Sequence, residues 1–374
     1  MIATAVAAGG AAWEGDVLDE VERSGVLTLV RRCVDAADLL AIAGTGRIQV
    51  ALVDPALGGL DLDVVGRVRA GGVRIVAVGA AAPELDLLSS VQVGAIETAA
   101  EGDDPPRGGR GEIARTGRIV AVWGPTGAPG RTSVALGLAA RLGREASTVV
   151  VDADTHGGAV GQALGVLDDV SGIVAACRAV NSGRGMPDTA VLRVDDGVNV
   201  VTGVPRPEDM WHLVRPAALA AVLDALAAEH RWVVVDAGFG HEPPLGAGPA
   251  RDQAATTVLE AADDIVVVGR PEPLGLARLL RSLDAGSPWR TPPRVVINLC
   301  RASLGWSETE IAATVREVSG HPVEAFLPYD QAAHDLAAIS GQLLREVAPT
   351  SSWVSRLDHF VRRSLLEPAA ARGL

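Results

Sequence analysis

The segment from Arg118 to Leu142 constrains the fold more than any other part of this 374-residue chain. Its start, Arg118–Trp123, is apolar and rich in β-branched residues, which predicts a buried strand. Gly124–Gly130 is rich in glycine and proline and predicts a loop, and Arg131–Leu142 carries apolar residues at helical spacing. A strand, a glycine loop and a helix in this order favour phosphate binding, because loop N–H groups and a helix N-terminus attract anions.

The loop matches the phosphate-binding pattern G-x-x-x-x-G-K-[ST] only in part. Gly130 and Thr132 fit it, and the Thr132 hydroxyl is of the kind that such loops offer to Mg²⁺. Pro125 replaces the first glycine, Pro129 removes one N–H group, and Arg131 replaces lysine with a longer, planar cation. We favour a phosphate site over a Gly/Pro turn without a ligand. The predicted binding residues here are Gly127, Ala128, Gly130, Arg131, Thr132 and Ser133.

The composition narrows the classes of partner. The net charge is −13, which disfavours nucleic acid and an anionic membrane as generic electrostatic partners. All 33 basic residues are arginine, so no lysine elsewhere in the chain can replace the loop lysine. The three cysteines are isolated in sequence and fit a reducing compartment. With no apolar run long enough for a transmembrane helix and no basic n-region of a signal peptide, we expect a cytoplasmic protein.

Residues 1–100 alternate strand-like and helical patterns, which predicts a doubly wound parallel sheet. The last pair is a weak helix at Leu85–Leu88 and a strand at Val91–Ile96. Asp54 ends the third strand, and in this respect the region resembles a response-regulator receiver domain, whose phosphoacceptor Asp stands there. The acidic pair, the Ser/Thr and the Lys of that family's site are missing. We therefore expect a degenerate receiver-like domain that serves docking or dimerisation rather than phosphorylation.

Residues 101–116 have the Gly, Pro, Asp and Arg content of a linker. This segment separates two regions that each have their own β/α pattern. We therefore predict an α/β protein with two doubly wound domains, residues 1–100 and 117–374, joined by that linker.

Three carboxylates follow predicted strands of the second domain. Asp152 and Asp154 end the strand Thr148–Val151, and Asp236 ends the strand Trp232–Val235. Strand carboxyl ends are where an open α/β sheet binds ligands, and such carboxylates hold Mg²⁺ or orient an attacking water. The alternative for each is a turn or helix cap.

A later strand ends at Asn298, and another ends in Phe326–Asp330, a Phe-Leu-Pro-Tyr-Asp sequence. The ordered set of phosphate loop, Asp-x-Asp strand, Asp-Ala-Gly strand, Asn strand and Leu-Pro-Tyr-Asp resembles the MinD/ParA group of P-loop ATPases over about residues 117–345. The deviant loop of that family reads K-G-G-x-G-K-T, and Thr126 and Arg131 stand in place of its two lysines.

This resemblance implies a flavodoxin/receiver-like domain followed by a P-loop NTPase domain, with ATP and Mg²⁺ as cofactors. It implies that Arg131 and Asp154 are the catalytic residues, with Asp154 positioning the water. The metal residues it implies are Thr132, Asp152 and Asp236, and the adenine contacts are Asn298, Pro328 and Asp330.

The layout of the two domains resembles the CpaE/TadZ branch, which helps to place and assemble Flp/Tad-type pili at the inner face of the membrane. The group of septum-site-determining proteins has the same layout. The resemblance implies a homodimer, pilus or secretion proteins as partners, and peripheral membrane association through them. A pseudo-ATPase scaffold that docks partners with little or no ATP hydrolysis is the competing hypothesis, which Pro125, Thr126, Pro129 and Arg131 favour.

Residues 352–366 place Trp353, Leu357, Phe360, Val361 and Leu365 on one helical face. Such a helix either packs on its own domain or lies on a membrane. We expect it to pack, as most amphipathic helices do.

Overall fold

The computed structural model describes residues 1–79, 89–101, 115–127, 129–166, 170–182, 185–195, 197–240, 250–284 and 290–367. The chain divides into two compact units. The N-terminal unit comprises Met1–Ile113 and Arg178–Gly185, and the C-terminal unit comprises Ala114–Cys177 and Met186–Leu374.

The N-terminal unit is built on a parallel sheet of five strands with the order β2-β1-β3-β4-β5. This is the order of doubly wound flavodoxin-like sheets. Successive strand residues face opposite sides, so one apolar cluster contains Ala51 and Val53 and the other contains Val50 and Leu52. The elements are β1 Ile2–Ala7, α1 Glu14–Arg23, β2 Leu27–Cys33, α2 Ala36–Ala43, β3 Val50–Val53, α3 Leu62–Ala70, β4 Arg74–Val78, β5 Ser89–Val91 and α4 Ile96–Glu101.

The end of this unit differs from the prediction. The last strand is Ser89–Val91, and a helix begins at Ile96, where the sequence predicts a strand over Val91–Ile96. Gly94 has a φ of +100°, which ends the extended chain. The Glu20 carboxylate then accepts hydrogen bonds from the Gly94 and Ile96 N–H groups and stabilises the turn. The helix predicted at Leu85–Leu88 lies outside the described residues.

The C-terminal unit is built on a sheet with the order β13-β12-β11-β6-β10-β7-β9-β8, in which β8 alone runs antiparallel to its neighbour. The elements from residue 114 onward are β6 Arg118–Trp123, α5 Arg131–Leu142, β7 Thr148–Ala153, α6 Val160–Ala163, α7 Gly172–Asn181, β8 Leu192–Asp195, β9 Val198–Val201, α8 Pro207–Met210, α9 Pro216–Glu229, β10 Trp232–Ala237, α10 Gln253–Ala261, β11 Asp264–Gly269, α11 Pro273–Asp284, β12 Arg294–Cys300, α12 Glu308–Ser319, β13 Val323–Pro328, α13 Gln331–Ser340, α14 Leu344–Val347 and α15 Ser352–Val361. The division between the units falls within α7, after Cys177.

The central strand β6 determines where a ligand can bind. It pairs with β10 on one side and β11 on the other, while the chain passes from β6 through α5 to β7, beyond β10. The strand order therefore reverses at β6, and ligands of open α/β sheets bind at the carboxyl ends of strands at such a point. Strands β6, β7 and β10 are almost wholly buried, as their apolar sequences require.

The C-terminal helix α15 packs on its own unit, as the sequence predicts. Its apolar face is buried against α5 and β13. The close approach depends on Gly137 in α5, where an added Cβ would lie 2.5 Å from a methyl carbon of Leu357 and 2.6 Å from the Trp353 ring. In the described part of the chain, no single helix is long and apolar enough to cross a membrane; the bent pair Pro207–Leu213 and Pro216–Glu229 meets that test by length and composition alone.

Candidate functional site

The phosphate loop joins β6 to α5 and depends on two glycines in the left-handed region. Gly127 has a φ of +114°, and Gly130 has a φ of +86° at the N-terminus of α5. An added Cβ at Gly130 would lie 2.4 Å from the Asn298 Nδ2 atom. Both the backbone conformation and the close neighbour therefore require glycine where the sequence has it.

Two arginines contact the loop from the side of α11. Arg278 Nη1 donates to the Thr126 carbonyl oxygen at 3.4 Å, and Arg270 Nη1 donates to the Gly127 carbonyl oxygen at 3.1 Å. A cleft of about 110 Å³ lies between these side chains and the loop. Sequence reasoning missed both arginines, because nothing in the spacing of Arg270 and Arg278 relates them to a loop that lies so far back in the chain.

Arg131 turns toward the loop and toward Asp154. Its Nη1 donates to the carbonyl oxygens of Gly124 and Pro125 at 3.1 and 3.3 Å. Its Nη2 lies 3.5 Å from Asp154 Oδ2, and its guanidinium carbon lies 5.8 Å from the centre of the Phe239 ring. The structure therefore brings together the two predicted catalytic residues, Arg131 and Asp154, with both side chains mostly buried.

Thr132 and Asp236 meet at the carboxyl end of the sheet. Thr132 Oγ1 donates to Asp236 Oδ2 at 2.6 Å, while the buried Asp236 Oδ1 has no hydrogen-bond partner among the described residues. Burial raises the pKa of Asp236 to about 7, although the Thr132 hydrogen bond and the Arg131 charge oppose the shift. A hydroxyl beside a buried carboxylate oxygen without a partner suits a hard cation such as Mg²⁺, so these residues fit the predicted metal role.

Asp152 lies beside Asp236 across the β7–β10 pairing, so the predicted metal residues do come together. Its Oδ1 accepts from the Asp154 N–H at 3.2 Å, and its Oδ2 accepts from the Val160 N–H at 3.1 Å. Burial and the charge of Asp236 raise the pKa of Asp152 well above its usual value. Among the described residues no three His, Cys, Asp or Glu side chains form a complete metal cage. Mg²⁺ at nucleotide sites needs only one or two carboxylates, with phosphates and water completing its shell.

Asp154 stabilises the loop that follows β7. Its Oδ1 accepts from the N–H groups of His156 and Gly157 at 2.9 and 3.3 Å, which leaves Oδ2 facing Arg131. Oδ1 of Asp154 therefore stabilises a turn, which is one of the two roles that the sequence predicts. Oδ2 remains directed to the phosphate loop.

The predicted adenine residues have local structural contacts. Asn298 is buried and bonds to the Pro129 carbonyl and the Trp353 indole. Asp330 caps α13 and accepts from the Ser351 hydroxyl, a bond that lowers the pKa of Asp330. Pro328 is half-buried at the end of β13. Their role toward adenine stays a prediction. Of the loop residues, Ser133 lies in the first turn of α5, and Ala128 lies outside the described residues.

His156 and Phe239 join the loops that follow β7 and β10. Their rings lie 4.5 Å apart, and His156 Nε2 lies 2.9 Å from Asp252 Oδ1 at the start of α10. Sequence reasoning treats His156 as an ordinary loop histidine. Its position four residues after Asp152 is the one signal that relates it to the site.

Comparison with solved structures finds proteins of similar fold. No family model and no curated protein matches the sequence. The cell-division ATPase MinD of Pyrococcus furiosus is 20% identical, with a TM-score of 0.52 over 66% of this chain and 97% of that one. The septum site-determining MinD of Pyrococcus horikoshii, solved with Mg-ADP, is 19% identical, with a TM-score of 0.52 over 67% and 96%. A ParA family ATPase of Chlorobium tepidum is 19% identical, with a TM-score of 0.54 over 66% and 98%.

The N-terminal unit is too small to contain alignments of that length, so they fall mainly on the C-terminal unit. The C-terminal unit has the MinD/ParA ATPase fold. This confirms the resemblance at the level of the fold and agrees with the order of motifs along the chain. The CpaE/TadZ assignment and the receiver-like character of the N-terminal unit remain predictions.

Proposed function

We propose that this protein binds Mg·ATP at the loop between β6 and α5 and acts as a nucleotide-dependent positioning protein of the CpaE/TadZ type. The observation that carries the proposal is the hydrogen bond between Thr132 Oγ1 and Asp236 Oδ2. It joins the last position of the phosphate loop to the acidic end of β10, the two elements that hold the metal in P-loop NTPases.

The surrounding side chains supply what a triphosphate needs. The N-terminus of α5 and the N–H groups of the loop attract the phosphates, and Arg131 adds a positive charge 3.5 Å from Asp154. When bound, Mg²⁺ supplies charge neutralisation between the phosphates. On nucleotide binding, Arg131 would exchange the carbonyls of Gly124 and Pro125 and its contact with Asp154 for phosphate oxygens, which would free Asp154 Oδ2 to orient water.

The nucleotide state then acts through the loops after β7 and β10. Asp154 and Phe239 both contact Arg131, and the His156 ring joins the two loops, so a movement of Arg131 changes both. Such loops form dimer or partner surfaces in nucleotide switches. We propose a homodimer or a pilus or secretion protein as the partner, in the cytoplasm at the inner face of the membrane. Septum placement is the neighbouring alternative.

A pseudo-ATPase scaffold is the second candidate, and the contacts of Arg131 favour it. This guanidinium has three partners within the chain, so nucleotide binding requires those contacts to be exchanged. Pro125 and Pro129 also reduce the number of N–H groups that the loop offers.

The experiment that separates these candidates follows a fluorescent fusion of the full chain in its native host. The switch predicts a localised focus and piliated cells for the wild type, and a diffuse signal with few pili for Asp236→Ala. Arg144→Ala, a change of an exposed residue just after α5, serves as the control and keeps the focus. If Asp236→Ala localises and supports pili as the wild type does, the scaffold is correct.

A further inference from the structure

One buried side chain joins the C-terminal helix to the phosphate loop. Asn298 Nδ2 donates to the Pro129 carbonyl oxygen at 2.9 Å, and Asn298 Oδ1 accepts from Trp353 Nε1 at 3.0 Å. Asn298 and Trp353 are each only 1% exposed. An indole N–H can only donate and a backbone carbonyl can only accept, so the two partners together determine the orientation of the Asn298 amide.

The bond to Pro129 orients the peptide that links Pro129 to Gly130. In a trans peptide the N–H points away from the carbonyl oxygen. With the Pro129 oxygen turned to Asn298, the Gly130 N–H is directed away from that side chain. Pro129 itself has no N–H, so the Gly130 N–H is the first donor after it that can contact an anion. The conformation of this peptide therefore matters more here than in a loop without the proline.

Trp353 determines whether Asn298 can maintain this geometry. A buried amide oxygen without a donor costs free energy, and the amide can recover it by rotating away from Pro129. The indole is itself fixed, because it packs beside Gly137 in α5 where no larger residue would fit. Helix α15 thus contacts both the helix that follows the phosphate loop and the side chain that orients the loop.

We propose that Asn298 and Trp353 are positioning residues for the phosphate loop, acting as a relay from α15 to the Gly130 N–H. This proposal rests on the proposed nucleotide function and assigns Asn298 a different role from an adenine contact. It predicts that a change at the indole, which lies behind the loop, alters phosphate binding.

The test uses three variants of the full chain and two measurements. Trp353→Phe removes the indole N–H while keeping most of the ring packing. Asn298→Asp keeps the acceptor for Trp353 but places an oxygen against the Pro129 carbonyl. Phe360→Leu, a buried change in the same helix without a polar partner, is the matched control. Hydrogen–deuterium exchange of residues 124–133 is measured without ligand, and Mg·ATP affinity is measured by calorimetry.

The relay predicts faster exchange of the loop in Trp353→Phe and Asn298→Asp, but not in Phe360→Leu. It also predicts that Trp353→Phe weakens Mg·ATP about five- to tenfold, the effect of one net hydrogen bond, and that Asn298→Asp weakens it more. Equal loop exchange in all three variants overturns the relay, whatever their affinities. If the wild type binds no ATP but the two relay variants still accelerate loop exchange, the nucleotide function fails and the positioning role stands.

Discussion

Each unit of this chain has an aspartate at the carboxyl end of a central strand, and the two aspartates have opposite surroundings. Asp54 follows β3 of the N-terminal sheet, where Oδ2 accepts from the Trp13 indole at 2.9 Å and Oδ1 accepts from the Ala56 N–H at 2.7 Å. Asp236 is the last residue but one of β10 in the C-terminal sheet, where one oxygen accepts from Thr132 and the other is buried without a partner among the described residues.

The difference distinguishes an aspartate that stabilises a turn from one that is ready for a ligand. Both oxygens of Asp54 accept a hydrogen bond from a donor within the folded chain. Asp236 is buried at a free-energy cost that the fold does not compensate, as its raised pKa indicates. A parallel sheet places an aspartate at a strand end in either case, and only the donors around it separate the two roles.

The largest expected difference between Asp236 and Asp54 is in their effect on Mg·ATP affinity. Asp236→Ala is expected to weaken binding on the order of 100-fold, because it removes a charged metal contact. The matched change Asp54→Ala is expected to leave the affinity unchanged. Calorimetric titration of both variants provides the measurement. An equal loss of Mg·ATP affinity in the two variants, or no loss in either, would contradict the different roles assigned to Asp236 and Asp54.

Arg131 should show the next largest effect. Arg131→Ala is expected to weaken Mg·ATP by about 1.5–3 kcal/mol, the range for a lost charged hydrogen bond. Arg131→Lys retains a charge but loses the planar group that bridges Gly124, Pro125 and Asp154, and it should recover only part of that loss. Tighter binding by Arg131→Ala would instead show that the guanidinium blocks the loop, as the scaffold hypothesis requires.

The pH dependence of stability tests the electrostatic side of the contrast. The pKa of Asp236 rises from 3.8 in the unfolded chain to about 7 in the fold, so its neutral form is favoured on folding. The contribution of the Asp236 carboxyl to the stability of the fold is therefore fully present below its unfolded pKa and is lost as the pH rises through its folded pKa. Asp236→Asn should stabilise the ligand-free protein by a margin that grows from about pH 4 to about pH 7 and then levels off. Thermal unfolding across this range would show it, and a margin independent of pH would refute it.

The smallest predicted effect concerns Asp54. Trp13→Phe is expected to lower the free energy of unfolding by about 1 kcal/mol, because it leaves one carboxylate oxygen of Asp54 without its donor. Thermal unfolding of the two proteins measures the difference.

Incubation with acetyl phosphate should add no phosphate to Asp54 of the wild type. Phos-tag electrophoresis, which retards phosphorylated protein, provides the measurement. A shifted band that disappears in Asp54→Asn would mean that this strand end is reactive after all.

The strand, loop and helix from Arg118 to Leu142 were predictable because local signals decide them: β-branched residues, glycines and helical spacing. The positions of Asp152, Asp154 and Asp236 were predictable because parallel strands bring their carboxyl ends to one edge. Both predictions depend on patterns within a few residues or on a general property of sheets.

The contacts of Asn298, Arg270 and Arg278 were not predictable in this way. Each is determined by packing between segments that are far apart in the chain, such as β12 with the phosphate loop. The sequence predicts that a strand ends at Asn298, whereas β12 continues to Cys300, and only the fold places the Trp353 indole and the Pro129 carbonyl on either side of Asn298. The strand predicted at Val91–Ile96 was wrong for a similar reason, since Glu20 stabilises a turn there.

The most direct test of the central claim is calorimetric titration of ATP into the purified full chain, with Mg²⁺ and again with EDTA. The account predicts micromolar binding that requires Mg²⁺ and is lost in Asp236→Ala. No binding of Mg·ATP up to millimolar concentrations would contradict it, and the loop between β6 and α5 would then be a turn in a scaffold.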